Sequence, residues 1–258
     1  MNRLLRADFY RMYRKKWFWL CTLAMLALAV VFILIQKTAM DYEVMLDRVI
    51  FLPMSFYGVA TAALVSIFIG EDFSDGVIRN KILTCGNRAH IFYSDLIVSC
   101  TACVTVYLFT ITLTIGIGSL LFQSNLSAGK LMGYCLLGLF TCIAYACIYS
   151  LISIVLMNKS MAVAVCMGLA FAMLFLCLHT NQIMVQSQYQ DGVLNPHYAA
   201  GIKGVVYGIL HDINPSGQSA QLSAMQCFQV IRFVAADLFW VLLSCICGVK
   251  WFQSRDIK

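Results

Sequence analysis

LIVSCTACVTVYLFTITLTIGIGSLLF, residues Leu96 to Phe122, runs for 27 residues without a charged side chain. A helix needs roughly 20 apolar residues to cross a hydrocarbon core about 30 Å thick. This stretch exceeds that length. Working outward, Ile50 to Ile69, Leu131 to Met157 and Met161 to Leu178 are also uncharged. Trp17 to Ile35 makes a fifth run, and Phe233 to Phe252 a sixth, interrupted only by Asp237 and Lys250. None shows the period-2 alternation of a membrane barrel. Lipid offers the backbone no partner but itself, so the runs read as helices.

Composition agrees. Hydrophobic residues make up 61% of the 258 and charged residues 12%, about half the usual share for a soluble domain. The expected fold is an all-α membrane protein in one transmembrane domain, with six spans at 17–36, 50–70, 91–122, 131–157, 161–178 and 231–252. The first run has a long charged flank, spanning length and no small-x-small cleavage site after it. It reads as a retained helix and not a signal peptide.

Twelve cysteines would suit a disulfide scaffold, but ten of them lie inside the apolar runs. Free thiols packing as small hydrophobes are expected. Cys100 and Cys103 form a lone pair inside a span, and no metal site is expected.

Lys and Arg set the orientation. Arg3, Arg6, Arg11, Arg14, Lys15, Lys16, Arg79, Lys81, Arg88, Lys159, Lys250, Arg255 and Lys258 fall on one side of the spans. Lys37, Arg48, Lys130, Lys203 and Arg232 fall on the other. The basic side is expected to be cytoplasmic, with both termini there. The net charge of +6 then reads as membrane orientation and attraction to anionic lipid, not nucleic-acid binding.

Between the spans, residues 2–16 form a basic amphipathic segment with Leu5, Phe9, Met12 and Tyr13 on one face. It suits an interfacial helix, or else a positive flank that happens to be helical. The loop from Glu71 to His90, EDFSDGVIRNKILTCGNRAH, suits a short cytoplasmic helix over 72–86, capped by Ser74 or Asp75 and ended by Gly86. A solvated basic loop is the alternative. Phe73, Val77, Ile78 and Ile82 would pack on the bundle or on a partner, and Arg79, Asn80 and Lys81 would make polar contacts. The segment 179–230 holds a short apolar stretch, Tyr198 to Leu210, between turn signals at Asp191–Gly192, Asn195–Pro196 and Asn214–Gly217. It suits an extracellular re-entrant or interfacial hairpin.

Two acids lie in or near spans. Asp95, in the first turns of its helix, reads as structural. Asp237 lies deeper. It is either a functional intramembrane acid or one paired with Arg232, Lys203 or a neighbouring helix. No histidine and no glutamate lies within an apolar run, and no P-loop occurs, so no catalytic site and no ATP site can be assembled.

The order of elements resembles the permease subunit of ABC-2 type exporters. Asp72 to Ile82 is similar to the E-[FY]-x-x-G-T-x-[RK]-x-x-L pattern of the small permeases in that family. Phe73, Gly76 and Arg79 match, while Asp72, Val77 and Ile82 depart from it. The resemblance implies a dimer of permeases, homo- or heteromeric, each bound to a separate ATPase subunit that holds ATP and Mg. It implies a coupling role for Glu71, Asp72, Phe73, Gly76, Val77, Ile78, Arg79 and Lys81. Phe73, Val77 and Ile78 would then fill a pocket on the ATPase, with Arg79 and Lys81 at its rim. It further implies export of a peptide or other amphipathic substrate from a cell, with a bacterial plasma membrane as the expected location. This chain itself would be no enzyme and bind no cofactor. A secondary transporter or a non-transporting assembly or sensor protein is the competing expectation.

Overall fold

The computed structural model describes residues 2–39, 44–85, 87–124, 127–184, 186, 189–190, 193–194, 201–225 and 229–254. Ten α-helices account for most of them. In chain order these are α1 (Asn2–Arg14), α2 (Lys16–Thr38), α3 (Tyr57–Ser74), α4 (Val77–Cys85), α5 (Arg88–Leu121), α6 (Ala128–Leu156), α7 (Lys159–Met184), α8 (Ile202–Ile213), α9 (Pro215–Ser223) and α10 (Val230–Ser254). The only strands among the described residues are a two-residue antiparallel ladder, Tyr189–Gln190 against Val193–Leu194. Gly86, Cys227, Arg255, Lys258 and the turns at Asp191–Gly192 and Asn195–Pro196 lie outside the described residues.

Six helices are long and apolar enough to cross a membrane: α2, Leu46–Ser74, α5, α6, α7 and α10. Their ends differ from expectation in instructive ways. Pro53 lacks an N–H, and the second span opens with two short 3-10 turns, Leu46–Arg48 and Leu52–Phe56, before regular helix begins at Tyr57. α7 runs on past Leu178 to Met184, and within this extension Thr180 returns its hydroxyl to Leu176 O and Cys177 O at 3.0 Å. α6 and α7 form a tight antiparallel pair. Met157 takes the left-handed conformation that ends α6, and Asn158 starts α7 by accepting from the Met161 N–H at 3.2 Å.

α5 is 34 residues, roughly 51 Å long, which is more than a 30 Å hydrocarbon core requires. Midway along the bundle, the buried tyrosines Tyr57, Tyr107, Tyr145 and Tyr149 are in contact, Tyr57 meeting Tyr107 edge-on and Tyr145 at a tilt and Tyr145 stacking on Tyr149, with ring centroids 5.9–6.3 Å apart. Each of the first three gives its hydroxyl a partner: Cys103 O, Cys135 O and Ser216 Oγ respectively. They pin α3, α5, α6 and α9 together at depth.

Contacts divide the loops into two faces. α1, α4, the α6–α7 turn and the end of α10 share one, tied by Arg11 to Asp72, Lys159 to Glu71 and Arg88 Nη1 to Gln253 O. This is the face that holds most of the Lys and Arg. The helical pair α8–α9 closes the other.

Candidate functional site

The chain breaks between α3 and α4 at Gly76, whose φ of +68° is a left-handed position that glycine takes without strain. The expected caps are not used. Ser74 turns its hydroxyl back to Glu71 O and Asp75, and α4 starts directly after the glycine. Glu71, Asp72 and Phe73 therefore belong to the last turn of α3, and the short helix is Val77–Cys85, not 72–86.

α4 lies inward on an ion cluster. Lys81, 6% exposed in its side chain, places Nζ 2.9 Å from Asp8 Oδ1, 3.0 Å from Asp72 Oδ2 and 2.6 Å from Asp95 Oδ1. Arg11 binds Asp72 through Nη2, stands 3.4 Å from Asp8, and lies over the Phe68 ring at 5.4 Å. Ser94 donates to Asp8 Oδ2 at 2.8 Å. One ammonium thus joins four segments: α1, the end of α3, α4 and the start of α5. Beside it, Glu71 takes Lys15 at 2.6 Å and Lys159 at 3.1 Å. Gly70 makes that approach possible, since a Cβ there would lie 2.8 Å from the Lys159 Cα.

Three carboxylates converge here as the ligands of a cation would, with oxygens within 4.8 Å of one another, and the lysine ammonium is the cation among them. Burial alone would lower the Lys81 pKa. The carboxylates of Asp95, Asp72 and Asp8 outweigh it and hold the group above its ordinary value.

The sequence-predicted residues divide between this cluster and the surface. Asp72 and Lys81 are in the cluster, with Glu71 beside it. Ile78 is buried in the core of this chain, Phe73 and Val77 are half-buried, and Arg79 is exposed. Ile78 and Lys81 therefore cannot fill or rim a pocket on a partner in this arrangement. The helix turns that face inward because three acids wait for the lysine. Its outward face is Arg79, Asn80, Leu83 and Thr84, with Leu83 78% exposed.

Sequence reasoning missed Asp8, Arg11, Lys15, Ser94 and Lys159, and it undervalued Asp95. The signal was present: Asp8 is the one acid on an otherwise basic helix. The inward face of α1 is Leu4, Asp8 and Met12 rather than the expected face that includes Tyr13, which is exposed. Drawing Asp8 to Lys81 rotates the helix.

A second polar cluster lies under α8 and α9. Asn214 caps α9 by accepting from the Ser216 N–H, and donates to Met173 O at 2.8 Å. Gln221 Nε2 lies 2.7 Å from Asp212 Oδ1 and 3.1 Å from His211 Nδ1. Gln218 donates to Asp212 O at 2.9 Å. Arg232 stands 3.4 Å from Asp212. It does not pair with Asp237, and Lys203 is exposed. Asp237 is 1% exposed, and among the described residues neither of its carboxyl oxygens meets a partner in hydrogen-bonding geometry. Burial lowers the His211 pKa, partly opposed by Asp212.

No protein-family model matches this chain, and no curated protein matches it.

Proposed function

We propose that this chain is the membrane permease subunit of an ATP-binding-cassette exporter of the ABC-2 type, moving a peptide or other amphipathic substrate. The basic face is cytoplasmic, by the positive-inside bias of its Lys and Arg. α4 is the coupling helix, and its outward face of Arg79, Asn80, Leu83 and Thr84 receives a separate ATPase subunit. The observation that carries the reading is the Lys81 cluster. A short helix fixed by one buried ammonium to α1, α3 and α5 moves those helices when it is pushed, whereas a solvated loop would absorb the push. On the outer face, α8 turns Ile202, Val205, Val206 and Ile209 outward while the polar α9 is buried, which suits a re-entrant hairpin set in lipid.

The test is purification of the chain from its native membrane, with ATP hydrolysis measured in the complex. A Walker-motif subunit and vanadate-sensitive hydrolysis are expected. Leu83→Asp should release that subunit and leave the permease folded. Truncating an apolar anchor at the centre of an interface costs about 2 kcal/mol or more, so a buried charge there should be more disruptive still. A chain that purifies intact with no nucleotide-hydrolysing subunit, or keeps one regardless of Leu83→Asp, defeats the assignment.

Asp237 favours one second reading, a secondary transporter driven by an ion gradient, because an unpaired acid in a span is the feature such carriers use. Transport abolished by a protonophore but indifferent to ATP depletion would select it.

A further inference from the structure

α2 and α3 do not close on each other along their whole length. Between them runs a groove of about 420 Å³, open to the outside of the helix bundle and lined by the small residues Cys21, Ala24, Ala60 and Ala63. Such a volume is in the range of ligand sites, roughly 300–1,000 Å³. Small residues usually let spanning helices touch; here they leave a furrow. It extends from Phe56 to Ile67, which on a helix is roughly 16 Å, about half of a 30 Å hydrocarbon core. The furrow therefore has the length of one leaflet.

Its Trp17 and Ile67 end is at the basic face. Both residues also line a smaller cavity reaching Lys15 and Glu71. The two indoles at this level differ. Trp19 donates to Tyr13 O at 2.9 Å, whereas Trp17, exposed, has no acceptor among the described residues. Lys16 is exposed and has no ion-pair partner among them. An apolar furrow one leaflet long thus ends at an indole N–H without an acceptor among the described residues, and the exposed Lys16, the preceding residue, lies outside its lining but one residue away in the chain.

We propose that this groove binds one anionic phospholipid from the leaflet at the basic face, with an acyl chain along the alanine lining and the phosphate held by Lys16 and the Trp17 N–H. Both donors suit a phosphate oxygen, the lysine through a charge-assisted bond. Basic segments beside a span draw anionic headgroups over zwitterionic ones. The site requires the chain to span a membrane. It does not require it to be an exporter.

The test is native mass spectrometry of the solubilised full chain after incubation with phosphatidylglycerol or phosphatidylcholine of matched acyl chains. One phosphatidylglycerol per chain should survive delipidation, at about fivefold higher occupancy than phosphatidylcholine. Ala60→Phe should lower occupancy by both lipids, and Lys16→Gln should bring the two level. Leu34→Phe, on the exposed part of α2 outside the groove, should change neither. A thermal melt reports folding, and Ala24→Leu replaces Ala60→Phe if that variant does not fold. Equal occupancy by the two lipids in the unsubstituted chain overturns the proposal, as does undiminished phosphatidylglycerol after the groove is filled. A dimer split by Ala60→Phe with lipid occupancy unchanged also overturns it, and identifies a second copy as the occupant.

Discussion

The ion cluster at the basic face and the polar cap at the opposite face both bury groups that water would otherwise solvate, but by different means. In the first, Asp8, Asp72 and Asp95 each meet Lys81, and Asp8 and Asp72 also meet Arg11. In the second, the amides of Gln218 and Gln221, the Asp212 carboxyl and the His211 ring face each other with polar atoms left over. Both oxygens of Asp237, Gln218 Oε1, Gln221 Oε1 and His211 Nε2 have no hydrogen-bond partner among the described residues. Compensated charge holds one geometry tightly. Uncompensated polarity in a dry interior is costly and is kept where something else uses it. The basic end therefore reads as a rigid joint, and the cap as the part built to change.

Removing the central cation is the strongest way to break this contrast. Lys81→Met leaves Asp8 and Asp72 with Arg11 and strips Asp95 of its lysine, and should cost about 3–5 kcal/mol, read as thermal unfolding of the purified chain. Adding Asp95→Asn to it should recover part of that loss. A Lys81→Met chain as stable as the original would mean that the cluster is not a joint.

Gly70→Ala comes next. Its Cβ would lie 2.8 Å from backbone, not from a side-chain tip that could swing away. The α6–α7 turn must shift, at a cost of about 1–3 kcal/mol, and Lys159 should leave Glu71. Cross-linking between cysteines at positions 71 and 159 checks the separation directly.

At the cap, Asp237→Asn should cost no more than about 1 kcal/mol, since neither carboxyl oxygen has a hydrogen-bond partner among the described residues to lose. Export should nevertheless fall if the acid serves transport. Loss of several kcal/mol would reveal a partnered acid and erase the contrast between the two ends.

How much of this was legible in the sequence depends on the range of the signal. Spans were readable because hydrophobicity accumulates along a helix, and Leu96 to Phe122 needs no neighbour to be understood. Ends were less so. Whether Glu71 to Ser74 belongs to α3 or α4 is decided by one backbone angle at Gly76. The cluster was least legible, since Asp8, Asp72, Lys81 and Asp95 are brought together only by packing. Lys81 looks like a surface lysine until three acids from separate segments are placed around it. The inward turn of Ile78 follows from the same pairing and could not be read from the amphipathicity of nine residues.

The smallest effect expected is a pH response of the cap, and its direction follows from the hydrogen bonds of His211. Gln221 Nε2 is shared between His211 Nδ1 and Asp212 Oδ1. Neutral His211 accepts at Nδ1. Once protonated there, it presents a donor to a donor. Gln221 could turn its oxygen to the ring, but would then set that oxygen against the Asp212 carboxylate. Asp212 favours the protonated ring by its charge, and Arg232 beside it weakens that help. Burial of the ring dominates, and the folded pKa lies below the ordinary value of 6.5. A group with a depressed histidine pKa contributes its full stability above about pH 6.5 and loses it as pH falls towards the folded value. Hydrogen exchange in α9, corrected for intrinsic rates, should be unchanged from pH 8 to about pH 7 and should accelerate below about pH 6.5, while α4 and the start of α5 stay protected. His211→Gln, whose side-chain oxygen can accept from Gln221 at any pH, should flatten the response without opening the cap. A response that persists in His211→Gln would assign it to another group, and one that spreads equally to α4 would mean that the two ends of the molecule do not differ in the way their hydrogen bonds indicate.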